Sequence, residues 1–248
     1  MKNLFTITEN NQTHTLGKYR NNQIIYDFNN TLDYLEIKGK QLFGQHFKLY
    51  NEDYETIYKL MIYTIRDKKS CESRDINLNK GILLTGPVGC GKTTLMQLMP
   101  YIAPHLQGYN MYPTRNIVLS FNAGGYDIIN TYSIRRTCCF DDLGAEPTGK
   151  YYGQDCNVMA EIITSRYDLT QQRNQNPNKK IKNQNPLSAK MRLGTVGNQK
   201  TKYNRRTHIT SNLNAQEIEN RYGERVRSRL REMVNVIAFP PSSPDKRT

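Results

Sequence analysis

The sequence lacks the features that mark exported, membrane-spanning and disulfide-linked proteins. No apolar run approaches the roughly 20 residues that a membrane-spanning helix requires. The first residues, MKNLFTITENNQTHTLGK, lack the charged and then apolar build of a secretory signal. The five cysteines are an odd number without metal-knuckle spacing, which is typical of reduced thiols. We therefore expect a cytoplasmic protein with no membrane partner.

Acidic residues are scarce as well, and one long stretch has none. The chain carries 35 Lys and Arg against 22 Asp and Glu, and this formal net charge of +13 indicates a polyanionic partner. Residues 170–206 contain no Asp or Glu, and their Asn, Gln and Pro surround ten basic residues: Arg173, Lys179, Lys180, Lys182, Lys190, Arg192, Lys200, Lys202, Arg205 and Arg206. We interpret this stretch as a polar insertion that contacts a nucleic-acid backbone. A solvated insertion without a ligand is the alternative.

The most informative stretch is GILLTGPVGCGKTT, residues 81–94. Its apolar start predicts a strand buried on both faces, and the residues that follow fit G-x-x-x-x-G-K-[ST] at every fixed position. In this motif the glycines let backbone N–H groups surround phosphates, Lys92 neutralises the outer phosphates, and the Thr93 hydroxyl binds Mg²⁺. A chance glycine-rich turn would not need both a strand before it and a helix after it. The predicted ATP-binding residues are Gly86, Pro87, Val88, Gly89, Cys90, Gly91, Lys92, Thr93 and Thr94.

Another apolar strand, Thr137–Phe140, ends in two carboxylates. Behind a P-loop, the first of these, Asp141, is expected to hold Mg²⁺ through water, and the second, Asp142, to orient the attacking water. Glu146 is a secondary candidate for the base. Two aspartates at a strand end can also mark a turn, but the preceding P-loop favours the catalytic interpretation.

The remaining elements are predicted from apolar periodicity and capping signals. The pattern predicts a helix that begins at Asn51, a second strand at Ile117–Phe121, helices at Tyr126–Tyr132 and Cys156–Leu169, a strand at Thr207–Asn212, a capped helix that bends at Gly223, and a last strand at Val234–Phe239. If the Thr207–Asn212 strand lies beside the P-loop strand, its end places an amide near the γ-phosphate. Residues 1–50 are expected to be an N-terminal arm or a small partner-docking region, with a disordered tail as the alternative.

Three blocks together resemble one family. GPVGCGKTT, CCFDDLGAEP and HITSNLNAQEIENRYGERVRSRLREM occur in this order between about Asn79 and Phe239. They resemble the DnaC/DnaI/IstB group of AAA+ ATPases, which are bacterial helicase loaders and transposition helper ATPases. The resemblance implies that Lys92 and Thr93 belong to the Walker A motif, that Asp141 and Asp142 belong to the Walker B motif, and that Asn212 senses the γ-phosphate.

The same resemblance implies roles for three arginines. Arg229 corresponds to the arginine finger that reaches the next protomer, with Arg225 as its near neighbour. Arg247 is a weaker candidate for the second sensor, because the residues around it match the family poorly.

The resemblance also implies an α/β fold over residues 51–248. We expect the three-layer P-loop NTPase fold of AAA+ proteins, with a mainly parallel five-stranded sheet of order 5-1-4-3-2. No full C-terminal helical lid is expected, because little of the chain follows the last strand.

The functional expectation is an ATP- and Mg²⁺-dependent ATPase in DNA replication. The first candidate is a helicase loader whose ATP-bound protomers assemble head to tail on single-stranded DNA. A transposition helper that recruits a transposase is the second, and a P-loop kinase and a non-hydrolysing adaptor are weaker alternatives.

Overall fold

The computed structural model describes residues 4–21, 23–106, 108–175 and 205–247. Its strands are β1 (Thr6–Glu9), β2 (Gln12–Thr15), β3 (Gly17–Arg20), β4 (Gln23–Tyr26), β5 (Gly81–Thr85), β6 (Asn110–Pro113), β7 (Cys138–Leu143), β8 (Gly149–Tyr151), β9 (Gln154–Cys156), β10 (Thr207–Ser211) and β11 (Val234–Ala238). Its α-helices are α1 (Phe28–Phe43), α2 (Tyr54–Thr64), α3 (Lys68–Glu72), α4 (Lys92–Ile102), α5 (Thr114–Gly124), α6 (Tyr126–Ile134), α7 (Val158–Gln175), α8 (Ala215–Tyr222) and α9 (Glu224–Met233). A 3₁₀ turn at Asn51–Asp53 precedes α2.

A five-stranded parallel sheet in the order β11-β5-β10-β7-β6 forms the centre of the fold. Numbered along the chain, this order is the expected 5-1-4-3-2, and it places the P-loop strand β5 between β11 and β10. Because neighbouring strands are parallel, their carboxyl ends meet at one edge of the sheet and their amino ends at the other. The predicted fold class is therefore confirmed.

Helices cover both faces of the sheet. Along β5, Ile82 and Leu84 pack into the apolar cluster that contains α1, α2 and α4. Leu83, between them, packs on the opposite side, into the cluster that contains α5 to α9. This alternation follows from the two-residue period of a strand, and it explains why the sequence of β5 is apolar throughout.

The second strand of the sheet does not lie where the sequence pattern predicted it. Ile117–Phe121 belongs to helix α5, and β6 supplies the strand that pairs with β7. Ile117, Val118 and Phe121 are buried on one face of α5, whereas Leu119 is 52% exposed. A helix period therefore explains this run better than a strand period does.

The N-terminal region is packed onto the rest of the molecule. Strands β1 and β2 form one hairpin, β3 and β4 form another, and α1 follows with Asp27 as its N-cap. Ile7, Leu16 and Leu35 belong to the same apolar cluster as α2 and α4. These contacts argue against a disordered tail for the described residues, and the docking role of residues 1–50 stays a prediction.

The predicted insertion begins inside a helix. Helix α7 continues to Gln175, so the first residues of the stretch 170–206 are helical. Residues 176–204, on which most of that prediction rests, lie outside the described residues. After β11 the described chain, to residue 247, contains no further helix. In the part of the chain that the structure describes, no helix is both long and apolar enough to cross a membrane.

Candidate functional site

The loop between β5 and α4 depends on glycine. Gly86, Gly89 and Gly91 have φ angles of 155°, 79° and 99°, in a region that other residues adopt only with strain. Gly91 is the N-cap of α4, so the backbone N–H groups at the start of that helix point toward this loop. A helix N-terminus that follows a buried strand and a glycine loop is typical of an anion-binding site.

Lys92 is held over the same loop. Its side chain is buried, and its Nζ donates to the carbonyl oxygens of Gly86 at 2.9 Å and Pro87 at 2.7 Å. The ammonium group is therefore positioned by backbone oxygens at the mouth of the loop. Burial raises the pKa of the neighbouring Cys90 thiol, which keeps that thiol protonated near neutral pH.

Asp141 links the P-loop to two other strands. Its Oδ1 accepts hydrogen bonds from the hydroxyls of Thr93, at 2.8 Å, and Thr210, at 2.7 Å. The hydroxyl of Thr210 in turn accepts from the backbone N–H of Asp142 at 2.8 Å. The ends of β7 and β10 and the start of α4 are thus joined through one carboxylate.

Asp142 lies next to this carboxylate but faces solvent. Its φ angle is 55°, in the left-handed region, and its carbonyl oxygen accepts from the hydroxyl of Thr114 at 2.9 Å. Partial burial and the charge of Asp141 raise the pKa of Asp142, while Lys92 and Arg247 oppose the shift. A carboxyl group with a raised pKa and an exposed side chain suits the transfer of a proton.

Glu146 is buried and already bonded. Its carboxylate accepts from the Tyr222 hydroxyl and from the backbone N–H of Gly144, and its carbonyl oxygen accepts from Arg221. These contacts tie α8 to the loop after β7. Burial, followed by the negative charge of Glu146, raises the pKa of Tyr222 far above its usual range. The role of Glu146 as a base stays a prediction, and in this arrangement its carboxylate is engaged in packing.

Asn212 directly follows β10 and is exposed. Strand β10 pairs with β5 on one side and with β7 on the other, as expected for a strand that delivers a sensor residue between the Walker motifs. The hydroxyl of Ser211 donates to the carbonyl oxygen of Leu143 at 2.6 Å and holds this turn in place. Asn212 therefore lies at the same edge of the sheet as Asp141.

The two candidate finger arginines differ in their surroundings. Arg225 is exposed at the start of α9. Arg229, in contrast, donates to Asp168 at 2.9 Å and lies over the ring of Tyr167, 5.1 Å from its centroid. Within one chain the guanidinium of Arg229 is therefore held against α7. The resemblance had led us to expect a side chain that is directed outward, toward the next protomer.

The chain after β11 returns to the P-loop. The N–H of Lys246 donates to the carbonyl oxygen of Gly89 at 3.0 Å, and the ammonium group of Lys246 pairs with Asp53. Arg247 pairs with Asp245 at 2.8 Å. The charge of Arg247 opposes the rise in the pKa of Asp142, and the role of Arg247 as the second sensor stays a prediction.

Sequence reasoning missed three residues of this site. Thr210 bridges Asp141 and Asp142, Tyr222 bonds Glu146, and Lys246 fastens the tail to the P-loop. The only sequence signal for Thr210 was its place two residues before Asn212 in a β-branched strand. Nothing in the sequence pattern marked Tyr222 or Lys246, because their partners are remote along the chain.

The residues present fit a magnesium ion held mainly by a nucleotide. Thr93 and Asp141 supply one hydroxyl and one carboxylate within 2.8 Å of each other. Among the described residues no group of three or more His, Cys, Asp or Glu could hold a metal ion alone. A P-loop Mg²⁺ needs no such cage, because phosphate oxygens and water complete its coordination.

The sheet order and this site define the class of the protein. A parallel sheet of order 5-1-4-3-2, with a glycine loop after its first strand and Asp141 at the end of its third, is the P-loop NTPase fold of AAA+ type. The fold and the motifs support the resemblance to a DnaC-type AAA+ ATPase.

Comparisons with known proteins add the following similarities. A family model described as RNA helicase matches residues 82–185, which is less than half of the chain. No curated protein matches the sequence.

Several solved structures are similar to this chain at low identity. A DnaC helicase loader is 16% identical, with 77% of this chain and 92% of that chain covered and a TM-score of 0.48. A putative primosome component from Streptococcus pyogenes serotype M3 is 15% identical, with 79% and 83% covered and a TM-score of 0.48. AMPPCP-bound DnaA from Aquifex aeolicus is 16% identical, with 78% and 48% covered and a TM-score of 0.42.

Proposed function

We propose that this chain is an ATP-hydrolysing AAA+ protein of DNA replication, and specifically a DnaC-like replicative helicase loader that binds single-stranded DNA. The observation that carries the proposal is the bonding of Asp141 to both Thr93 and Thr210. These two hydrogen bonds join helix α4, strand β7 and strand β10 at the carboxyl ends of the strands. A structural turn of two aspartates would not need a hydroxyl from the P-loop.

Each group of this edge has a defined part in hydrolysis. The P-loop N–H groups and Lys92 bind the phosphates, and Thr93 and Asp141 hold Mg²⁺, which neutralises charge on the phosphate oxygens when bound. Asp142 accepts a proton from the attacking water, and Asn212 contacts the γ-phosphate. ATP is the proposed nucleotide and ADP with phosphate the proposed product.

The choice of a loader rests on the three sequence blocks and on the basic stretch 170–206, which we propose contacts DNA on the strength of its composition. A transposition helper ATPase carries similar blocks and is the alternative. Co-purification of a replicative helicase favours the loader, and co-purification of a transposase favours the helper. The family-model match to RNA helicase makes RNA a necessary competitor in every DNA-binding measurement.

Arginine supplied by a neighbouring protomer completes the proposed site. Protomers would assemble head to tail in the ATP-bound state, with Arg229 or Arg225 reaching the γ-phosphate of the next chain. For Arg229 this requires its ion pair with Asp168 to open on assembly. Arg225 is exposed and needs no such rearrangement.

A mixing experiment tests this proposal. Arg229→Ala should leave ATP affinity nearly unchanged and lower DNA-stimulated turnover on the order of 10³-fold, since an arginine in trans is worth roughly 10³ to 10⁵ in rate. Lys92→Ala should lose ATP binding, because the phosphates lose their nearest point charge. Mixed together, the two inactive chains should regain part of the turnover, because one chain supplies the P-loop and its neighbour the arginine.

The controls separate the alternatives. Arg225→Ala, in the same mixture, identifies which arginine acts, and Asp168→Asn should not lower turnover if the ion pair has to open. A mixture that stays inactive although both variants assemble would show that Arg229 is not the finger. ATP binding without turnover in the parent chain would favour the adaptor, and phosphate transfer to a small molecule would favour a kinase.

A further inference from the structure

Positive charge is concentrated at the amino ends of the strands, the edge of the sheet opposite the P-loop. Arg135 and Arg136 precede the start of β7 with one residue between, and Arg205 and Arg206 directly precede β10. Arg66, after α2, donates to the carbonyl oxygen of Leu78, three residues before β5, at 3.4 Å. We call these residues the arginine edge: Arg66, Arg135, Arg136, Arg205 and Arg206.

A buried side chain assembles this edge. Arg166, on α7, is fully buried, and its guanidinium donates to the carbonyl oxygens of Arg135 at 3.0 Å, Arg136 at 2.8 Å and Arg206 at 3.3 Å. Its Nε also donates to the Thr207 hydroxyl at 2.7 Å. The backbones of three arginines therefore converge on one guanidinium group, so their side chains start from nearly the same place.

Aromatic rings hold two of the side chains in fixed positions. The guanidinium of Arg135 lies 4.7 Å from the ring centroid of Tyr112 and 5.0 Å from that of Tyr132, and it donates to the Tyr112 hydroxyl at 2.9 Å. The guanidinium of Arg206 lies 5.9 Å from the ring centroid of Tyr63. Rings that hold an arginine reduce the entropy it loses when it binds a ligand.

Three arginines of this edge have no carboxylate partner among the described residues. Within the described part of the chain, Arg66, Arg135 and Arg206 make no ion pair with a carboxylate, whereas Arg221, Arg227, Arg229 and Arg247 each do. Burial, followed by the charge of Arg206, lowers the pKa of Arg66. Clustered like charges destabilise a folded chain unless an anion binds there.

We propose that the arginine edge binds the phosphate backbone of single-stranded DNA. This inference rests on the proposed function, which includes DNA binding. It assigns that binding to the arginine edge, at the opposite end of the strands from the proposed nucleotide site. Planar guanidinium groups match the oxygens of a phosphodiester, and a cluster of them suits a chain with one charge per nucleotide. DNA bound at this edge would leave the P-loop open, so ATP and DNA can bind together.

The test measures binding of a labelled thymidine oligonucleotide by fluorescence anisotropy over a range of KCl concentrations. Arg66→Gln/Arg135→Gln should lower the slope of log affinity against log salt by about 1.4, because each single-strand phosphate contact contributes about 0.7. Affinity in moderate salt should fall on the order of tenfold. The matched control Lys18→Gln/Arg20→Gln removes the same charge from exposed positions of β3 and should keep the parental affinity and slope.

Two further variants distinguish a lost phosphate contact from disturbed packing. If loss of Arg135 disturbs packing against the tyrosines, Arg66→Gln alone should still lower the slope by about 0.7, and Arg135→Lys should restore it. ATP affinity should equal that of the parent in every variant. A parental slope in both arginine variants, with normal DNA binding by the parent, would overturn the assignment and leave the proposed function standing. A parent chain that does not bind DNA would overturn both.

Discussion

The two edges of the central sheet use charge in opposite ways. At the carboxyl ends, Asp141 is bonded to hydroxyls from two other elements, and Asp142 and Asn212 remain exposed beside it. At the amino ends, Arg166 is fully buried and spends its hydrogen bonds on backbone carbonyls, and His208 is buried among tyrosine rings. The first edge leaves polar groups free for a ligand. At the second edge the buried groups join strands and helices, and the arginine edge around them carries the proposed DNA contact.

The two ends of the same strands therefore differ in what their groups do. The carboxyl ends carry the groups proposed for catalysis, and the amino ends carry buried groups that stabilise the fold. Strand β10 begins next to Arg166, through the hydroxyl of Thr207, and ends next to Asp141, through the hydroxyl of Thr210. We therefore expect substitutions at the carboxyl edge to change turnover with little effect on folding. Substitution of the buried Arg166 at the amino edge should do the reverse.

The largest expected effect is at Asp142. Asp142→Asn should lower the rate of phosphate release by about 10²- to 10⁴-fold, the usual contribution of a general base, and should spare ATP binding. Because its surroundings raise the pKa of Asp142, the charged carboxylate is disfavoured, and a neutral amide should not lower the thermal unfolding midpoint. Turnover equal to that of the parent would exclude Asp142 as the base, and Glu146 would be tested next.

Arg166→Met tests the opposite edge. The substitution keeps an apolar stem but leaves the carbonyl oxygens of Tyr132, Arg135, Arg136 and Arg206 without their donor. We expect the free energy of unfolding in urea to fall by about 4 kcal/mol, since several bonds to a charged group are lost in the interior. Arg115→Met, on the exposed face of α5, is the matched control and should cost less than about 0.5 kcal/mol. A cost below about 1 kcal/mol for Arg166→Met would show that the two edges do not differ as described.

The smallest effect is a pH dependence from His208. Its Nδ1 accepts the backbone N–H of Ile82 at 3.1 Å, and burial lowers its pKa from 6.5 to about 3. Below pH 6.5 the unfolded chain binds a proton that the folded chain does not, so stability is complete above that pH and is lost as the pH falls toward 3.

The expected slope is at most about 1.4 kcal/mol per pH unit from this residue. Urea unfolding of the parent and of His208→Asn between neutral and acidic pH would measure it. The variant should be less stable at neutral pH but should lose less stability on acidification. If the free energies of unfolding of the two proteins change with pH in parallel, His208 does not have the lowered pKa.

Local sequence determined the nucleotide edge because its groups lie close together along the chain. The glycines of the P-loop, Lys92 and Thr93 fall within one turn and the start of one helix, and Asp141 follows an apolar strand. The same holds for the predicted cap of helix α8, which the structure shows as a capping box of Asn214 and Glu217. Patterns of this kind are visible because each residue's role depends on neighbours a few positions away.

Local sequence failed where a role depends on distant partners. The residues of β6, Asn110–Pro113, carry a weak apolar pattern and become a strand because β7 offers an edge for pairing. Ile117–Phe121 has strong strand propensity but forms a helix, because its buried side chains lie on one face of α5. Tertiary packing overrides intrinsic preference in both segments.

The sequence by itself therefore determined the glycine loop after β5, the strand that carries Asp141 and Asp142, the strand before Asn212, and the order of the sheet implied by the resemblance. Only the tertiary structure decided that Thr210 bridges Asp141 and Asp142. The same is true of the ion pair between Arg229 and Asp168, and of the hydrogen bonds from Arg166 to the backbone of the arginine edge. The physical reason is the same in each case. Hydrogen bonds and ion pairs between remote segments form only after parallel strands have brought their ends together, and no local spacing encodes them.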